Sequence, residues 1–545
     1  MKIIFLFSLI ATFCLSCMEK KEVDLIVHNA VIITADETFS TAEAMAVRGD
    51  SILEIGPEHL ILNKYSSENI LDLEKHHVYP GFIDAHSHFW GYAEQLGRID
   101  LLGAKNAGEI CERLKAFGGT TKSDWLIGRG WDNTTWSNKE FPTKDCLDEA
   151  FPEHYIVLKR IDGHAALVNQ KVLDLAGINA TTVVEGGKVI SVSGNCTGVL
   201  IDRAVDLVEE LIPPTPEKTM KRLLAKAQSY CFAAGLTSAC DAGLDKIQVD
   251  LLTQMQSNGN LQIKLYLMLN PTAENFDFYL KNGPIVTRDL SVKSFKFYAD
   301  GALGSRGAAL LKPYTDDNLN YGLILTPQDS LSHYAKILIN SDFQMNTHAI
   351  GDSANRSVIK IYGEVLRGSN DRRWRIEHAQ VVNPSDISLF GQFNIIPSVQ
   401  PTHCTSDMDW ATERLGQDRI SHAYAYKDLM EQNGMIAFGT DFPVESINPL
   451  YTLLAAKERT DLKGEPVGGY RKEQAIDYEN AIRAMTIWAA LANGEENGKG
   501  SLEKGKKADF VVFNRDLKDL NSSNLESYQL ELTFVNGVKV FELEK

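Results

Sequence analysis

The sequence predicts an α/β fold: a (β/α)8 TIM barrel accompanied by a small β-sandwich domain formed by both chain ends. Three observations carry that expectation. Eight short, β-rich apolar runs alternate with helical stretches through the middle of the chain. Both ends are written instead in short alternating segments with turn punctuation. The chain has 545 residues, more than one ordinary core supports, so a large domain with a smaller companion is expected.

The first element is a targeting segment. Lys2 precedes the apolar run IIFLFSLIATFCL, and Ser16-Cys17 follow. That run has the form of a signal-peptide core and is too short to span a bilayer comfortably. Residues 1–16 resemble a bacterial lipoprotein signal, with Cys17 as the lipid-carrying first mature residue. Cys14 departs from the usual Leu or Val there, so plain secretion with cleavage elsewhere stays open. The expected location is the cell envelope, with a lipid anchor to the membrane and a periplasmic or surface-facing domain. No later apolar stretch is long enough for a transmembrane helix.

Residues 24–79 read as strands in DLIVHNAVIITAD, AEAMAVRGDSILEIG and ENILDLEKHHVYPG, with Arg48-Gly49-Asp50 as a turn. Residues 500–545 return to that style in KKADFVVFNRD and YQLELTFVNGVKVFELEK. The two segments are expected to form one β-sandwich. Pro80-Gly81 is the hinge into a barrel over 80–499. Its strands are expected at GFIDAH, LTSACDA, IKLYLML, SFKFYAD, FQMNTH, WRIEH, IIPSVQP and MIAFGTD. Helical connectors include EKTMKRLLAKAQSYCFAAG and SANRSVIKIYGEVLRG. Such alternation implies parallel pairing with right-handed crossovers. An insertion at about 101–215 separates the first two strands and carries WLIGRGWDNTTW and YIVLKRIDGHAALVN. Loops of that size in a compact domain are lids or subdomains.

Composition narrows the function classes. With 44% hydrophobic and 23% charged residues the chain is globular, not disordered or collagen-like. A net charge of -17 argues against nucleic acid, whose phosphates need Lys and Arg, and serves solubility. Of eight cysteines, Cys14 is lost on cleavage and Cys17 carries lipid. The others, at 111, 146, 196, 231, 240 and 404, form no CxxC, which excludes a zinc ribbon or thioredoxin site. An oxidising envelope permits a disulfide, but sequence alone cannot pair them.

Candidate chemistry sits on or at the ends of the expected barrel strands: His86, His88, Lys296, His348, His378 and Asp441. Barrel enzymes carry their reactive groups at the C-terminal ends of strands. Imidazole and carboxylate ligands suit zinc, and equally iron, manganese or nickel. Residues i and i+2 of a strand share a face, so His86 and His88 can bind one ion. An HxH pair alone is weak evidence; the later four residues in matching context make it a site. The segment HxHxDH of metallo-β-lactamases is absent, because Phe89, Trp90 and Gly91 follow His88.

The segments PGFIDAHSH, LIGRGWD, RIDGHAALVN, GLTSACDAG, KFYADGALGSRGAAL, NTHAIGD, RIEHAQ, PSVQPTH, FGTDFPVE and GSLEKGKKADFVVF together resemble the metal-dependent amidohydrolase superfamily. More narrowly they resemble its amidohydrolase-3 branch, which includes N-substituted formamide deformylases. The resemblance implies a barrel of the metal-dependent hydrolase type and one or two divalent ions, zinc foremost. It implies that His86 and His88 bind the more buried ion and that His348 and His378 bind the second. Asp441 then contacts the first ion and shuttles the proton. Lys296 becomes a CO2-derived carbamate bridging the ions, since an ammonium has no acceptor. The alternative for Lys296 is a cation paired with Asp300 or with substrate. Lys293 lies on the opposite face of the strand.

The implied reaction is cleavage of an amide-type C–N bond, not a peptide backbone, by a metal-bridging hydroxide. The same site acting as an esterase, lactonase or deaminase is the alternative within enzymes. A catalytically inactive, ligand-binding lipoprotein is the alternative outside them. The expected partner is a small amide-type substrate; assembly into a homo-oligomer stays open. Among the remaining residues, Asp162, Gly163 and His164 resemble a substrate-loop motif, with His164 polarising a carbonyl or merely structural. His403 lines the mouth or packs; Trp131 and Asp132 shape a pocket or a core. Gly301, Gly304 and Arg306 suggest a tight loop near the metals, and Asp352 a helix start. The basic run at 504–507 reads as a solvated turn, and Asp84 has no assigned role.

Overall fold

The computed structural model describes residues 20–544 apart from 120–122, 134–135, 161–162, 164 and 185–186. The expected signal segment with Cys17, and also Asp162 and His164, lie outside the described residues. The chain forms two compact units, Met1–Ser87 with Tyr230–Lys545, and His88–Ser229.

The first unit holds the barrel. Its strands are β1 (Phe82–Ser87), β2 (Leu236–Leu244), β3 (Lys264–Leu269), β4 (Leu290–Tyr298), β5 (Gln344–Ala349), β6 (Arg375–His378), β7 (Ile396–Val399) and β8 (Ala437–Phe438). They pair in that order, every neighbour parallel. Helices cover the outside, so the strands are buried on both faces and read as unbroken apolar runs such as KLYLML. Several of these helices are started by a polar cap. Asn383 accepts from Ser385 N before Pro384–Gln392, and Asn448 accepts from Leu450 N before Pro449–Glu458. In both, proline fills the first turn, where its missing N–H costs nothing.

The expected last strand, MIAFGTD, differs from the observed one. β8 keeps two residues; Gly439 N still donates to Val399 O on β7 at 3.0 Å, and Thr440 and Asp441 turn to close the ring against β1. Asp441 N donates to His86 O at 2.7 Å. The buried Asp84 carboxylate accepts from Thr440 N at 3.1 Å, Thr440 Oγ1 at 2.7 Å and His86 N at 3.1 Å. Asp84 therefore stitches the seam. Gly439 permits the approach, because a Cβ there would stand 2.4 Å from His86 N.

Both chain ends meet in one mixed sheet of the same unit. Its order is Val538–Glu542, Leu530–Val535, Phe510–Phe513, His77–Pro80, Val31–Ile33 and Thr41–Ala42. A four-stranded sheet from the first end, ordered Ser51–Gly56, Ala44–Arg48, Leu25–His28 and Ile70–Asp72, shares its core. Val27, Ile32, Val47, Val78, Val512 and Phe534 are among the side chains in it. Gly49, at φ 61, makes the hairpin turn expected there. The run at 504–507 is a turn, and Lys507 pairs with Asp50.

The second unit has its own six-stranded sheet. Ile99–Asp100, Trp125–Trp131 and Tyr155–Arg160 pair in parallel, and Ala165–Val168, Asn195–Asp202 and Gly187–Val192 follow antiparallel. The insertion is thus a folded subdomain with a core, not a loop. Trp131 belongs to that core, its Nε1 donating to Leu158 O at 2.7 Å. Asp132 pairs with Arg160 at 2.7 Å. Cys111 and Cys146 form a disulfide, Cα to Cα 6.2 Å, which no sequence argument could pair.

Candidate metal centre

The C-terminal ends of the barrel strands gather the expected residues. His86, near the end of β1, is fully buried. Its Nδ1 lies 2.6 Å from Glu377 Oε2 on β6, and its Nε2 lies 3.2 Å from Lys296 Nζ on β4 and 3.6 Å from Asp441 Oδ1. His86, His88 and Asp441 each present one ligand atom, all within 4.8 Å of one another. His378, His403 and Asp441 form a second such group. Asp441 is common to both.

Two of these residues owe their direction to left-handed backbone. His378 has φ 73 and Asp441 φ 60, unusual for residues bearing a Cβ. Strand alternation would place Glu377 and His378 on opposite faces. The left-handed turn at the end of β6 breaks the alternation, so both reach the same interior, where the His86 and His378 rings are 4.8 Å apart. Strain of this sort gathers at functional sites.

Burial sets the charge states. It pulls His86 down to about 4, with the Lys296 cation adding to the effect. Burial, Lys296 and His86 take His348 to about 3, and burial with His348 and His86 holds His378 well below the usual imidazole range. These rings are neutral at neutral pH, as metal binding requires. Burial draws Lys296 down to about 8 against the opposing pull of Glu377 and Asp441. Burial alone would raise Glu377, but Arg375 and His86 outweigh it and hold the carboxyl at about 2.

Imidazoles and a carboxylate are a donor set for zinc and its neighbours. The buried polar atoms agree: His348 Nε2 and His403 Nε2 have no hydrogen-bond partner among the described residues. Burying such atoms unpaired is costly, and an ion would satisfy them. The residues present therefore fit a divalent metal.

The structure sorts the other candidates. His348 is near the centre, its ring 4.5 Å from that of His378, but its Nε2 lies 3.6 Å from Asp300 and outside both ligand groups. His403 stands in the second group instead. It sits in the helix Pro401–Ile420, past the end of β7, so the sequence marked it as a residue of the mouth or of the packing and not as a ligand. Lys296 does not pair with Asp300. That carboxylate accepts from the backbone of Ala309, Ile350 and Gly351 at 2.8 to 2.9 Å and fixes the loop after β4. Lys293 points away from the centre, toward the backbone of Asn493 and Gly494.

Of the lesser candidates, Arg306 reaches Asp316 at 2.8 Å, and Gly304 packs on the Trp410 ring. Asp352 opens the helix Asp352–Leu366 and accepts from Leu311 N at 2.8 Å. Sequence reasoning also passed over Glu377 and Gln400, which support His86 and His378. Opposite charges at i and i+2 of a fully buried strand, Arg375 and Glu377, were the available signal.

Known proteins place the chain. The amidohydrolase family model matches residues 69–541. Protein LONG AFTER FAR-RED 3 of Arabidopsis thaliana is 32% identical over 538 residues, covering 95% of this chain and 91% of that protein. The N-substituted formamide deformylase of Arthrobacter pascens is 25% identical over 545 residues, covering 95% and 98%. The solved structure of an uncharacterized metal-dependent hydrolase from Pyrococcus horikoshii superposes with a TM-score of 0.79 at 25% identity, covering 92% and 99%. On the extent of the family match and of the likeness to the Arabidopsis protein, the chain belongs to the amidohydrolase family.

Proposed function

We propose that this protein is a metal-dependent hydrolase of amide-type C–N bonds outside peptide backbones. The observation that carries the reading is the sharing of Asp441 by two imidazole groups at the mouth of the barrel. His86 and His88 with Asp441, and His378 and His403 with Asp441, are the residues that would hold divalent ions, zinc foremost. His348, beside His378 and with no hydrogen-bond partner for its Nε2 among the described residues, stands ready as a further ligand. Bound there, such ions supply Lewis acidity toward a carbonyl oxygen and make a water more acidic.

The chain's own residues do the rest. Asp441 Oδ1 and Oδ2 lie 3.6 and 3.8 Å from His86 Nε2 and His403 Nε2, so its carboxylate faces both groups. It takes the proton of the attacking water and delivers it to the departing nitrogen. Lys296, drawn down to about 8, is a free amine in roughly one molecule in ten at pH 7. That amine can add CO2, forming an N–C bond and losing a proton, and become an anionic carbamate. His164, in the insertion, is assigned to polarise the substrate carbonyl.

The name of the Arthrobacter relative directs the first substrates to N-substituted formamides. The location proposed is the cell envelope, anchored through Cys17, and the Cys111–Cys146 disulfide supports an oxidising compartment. The test is hydrolysis of a panel of N-substituted formamides, N-acyl amino acids, esters and lactones. Activity should disappear on chelation, return with Zn(II) or Mn(II), and fall at least about a hundredfold in Asp441→Asn with metal retained. Normal turnover by Asp441→Asn, or by the chelated protein, would refute the reading.

A further inference from the structure

Arg375 and Glu377 stand behind His86, fully buried, and the hydrolysis above gives them no role. Glu377 Oε2 is 2.6 Å from His86 Nδ1. Glu377 Oε1 is 3.3 Å from Arg375 Nε, an ion pair not aligned as a hydrogen bond. Arg375 is fixed in turn. Its Nη1 donates to Ala85 O at 3.4 Å and Asn493 Oδ1 at 3.3 Å. The Asn346 amide, with its oxygen toward the guanidinium, accepts from Nη2 at 3.0 Å and Nε at 3.2 Å.

A carboxylate only accepts, so the hydrogen on His86 Nδ1 points at Glu377. Across the ring, Lys296 Nζ lies 3.2 Å from Nε2. An ammonium only donates, so Nε2 carries the lone pair. Asp441 Oδ1 also faces Nε2, but at 3.6 Å it is farther than Lys296 Nζ and far farther than Glu377 Oε2 is from Nδ1, so the short Glu377 contact decides the tautomer. A buried ion pair carries a desolvation penalty that well-packed apolar residues avoid, so stability alone gives no reason for Arg375 and Glu377.

We propose that Glu377, oriented by Arg375, is a positioning residue that holds His86 as the Nδ1–H tautomer with Nε2 directed at a divalent ion. This rests on the metal-dependent reading above. Its consequence is specific for the isosteric Glu377→Gln. Glutamine has one acceptor oxygen, and the Arg375 cation outcompetes the imidazole N–H for it. The amide NH2 then faces Nδ1 as a donor. The imidazole hydrogen moves to Nε2, where it blocks an ion.

The test uses the full chain, metal-free, with 15N-histidine spectra and Zn(II) affinity by chelator competition. The His86 signals are identified by their loss in His86→Gln. Wild type should show Nδ1–H, and Glu377→Gln should show Nε2–H with about tenfold to a hundredfold weaker Zn(II) binding and an unchanged thermal transition. Glu377→Asp, still acceptor-only, should return to Nδ1–H. An Nε2–H wild type overturns the proposal, even if no variant folds. So does Glu377→Gln with wild-type tautomer and affinity while wild type binds Zn(II). A wild type that binds neither Zn(II) nor Mn(II) overturns the metal-dependent reading, and the proposal with it.

Discussion

The two imidazole groups that share Asp441 are supported in different ways. His86 leans on a fully buried carboxylate at 2.6 Å. His378 leans on a neutral amide, its Nδ1 2.7 Å from Gln400 Oε1. The Gln400 Nε2 behind that contact has no hydrogen-bond partner among the described residues, and neither has His403 Nε2. Charge-assisted hydrogen bonds are roughly twice as strong as neutral ones, and burial strengthens them further. The His86 side is therefore set before an ion arrives. The His378 and His403 side, held by a neutral amide, takes more of its final order from what binds.

The largest test of this contrast is His86→Ala. It should cost more than about a hundredfold in affinity for the tighter ion, beyond what loss of a supporting residue costs, as read by chelator competition. If the ion stays tightly bound, the two sides are not unequal.

Lys296→Met comes next and probes the charge packed against the preset side. The unfolded chain keeps this proton up to about pH 10.5, the folded chain only to about 8. Between those values the unfolded state binds more protons, so stability of the metal-free wild type rises with pH. Below pH 8 the variant should be more stable by about 3 kcal/mol, at about 1.4 kcal/mol per tenfold in proton affinity. The gain should vanish above pH 10.5. Denaturant melts at pH 7 and pH 10.5 measure it, and a pH-independent difference would contradict the burial argument.

His403→Ala should remove the weaker ion and spare the tighter one, lowering metal content without abolishing it. Elemental analysis after dialysis reads this directly; loss of all metal would mean that the two groups act as one. The smallest effect belongs to Gln400→Leu, under about tenfold on metal affinity, because a neutral support is removed. An effect as large as that of Glu377→Gln would erase the contrast.

Much of the barrel was legible from local pattern. KLYLML and its counterparts are continuous apolar runs because parallel strands are covered on both faces. Asp441 and the HxH pair were visible because their residue types and their strand-end positions are written in the chain. Other features were not. His403 is displaced onto a helix, and Glu377 and His378 share an interior only because His378 takes φ 73. The Cys111–Cys146 pairing and the Asp84 clasp on Thr440 join residues 35 and 356 positions apart, which periodicity does not encode.

The sequence by itself determined the α/β alternation, the strands of the barrel and the kinds of ligand it carries, because periodicity and side-chain chemistry are local properties. Only the tertiary structure decided which imidazoles form a group, which acid faces which ring and which nitrogen of His86 is left to bind. Those depend on distances between segments far apart in the chain, 291 positions for His86 and Glu377. They depend also on desolvation, which exists only once the barrel has closed around them.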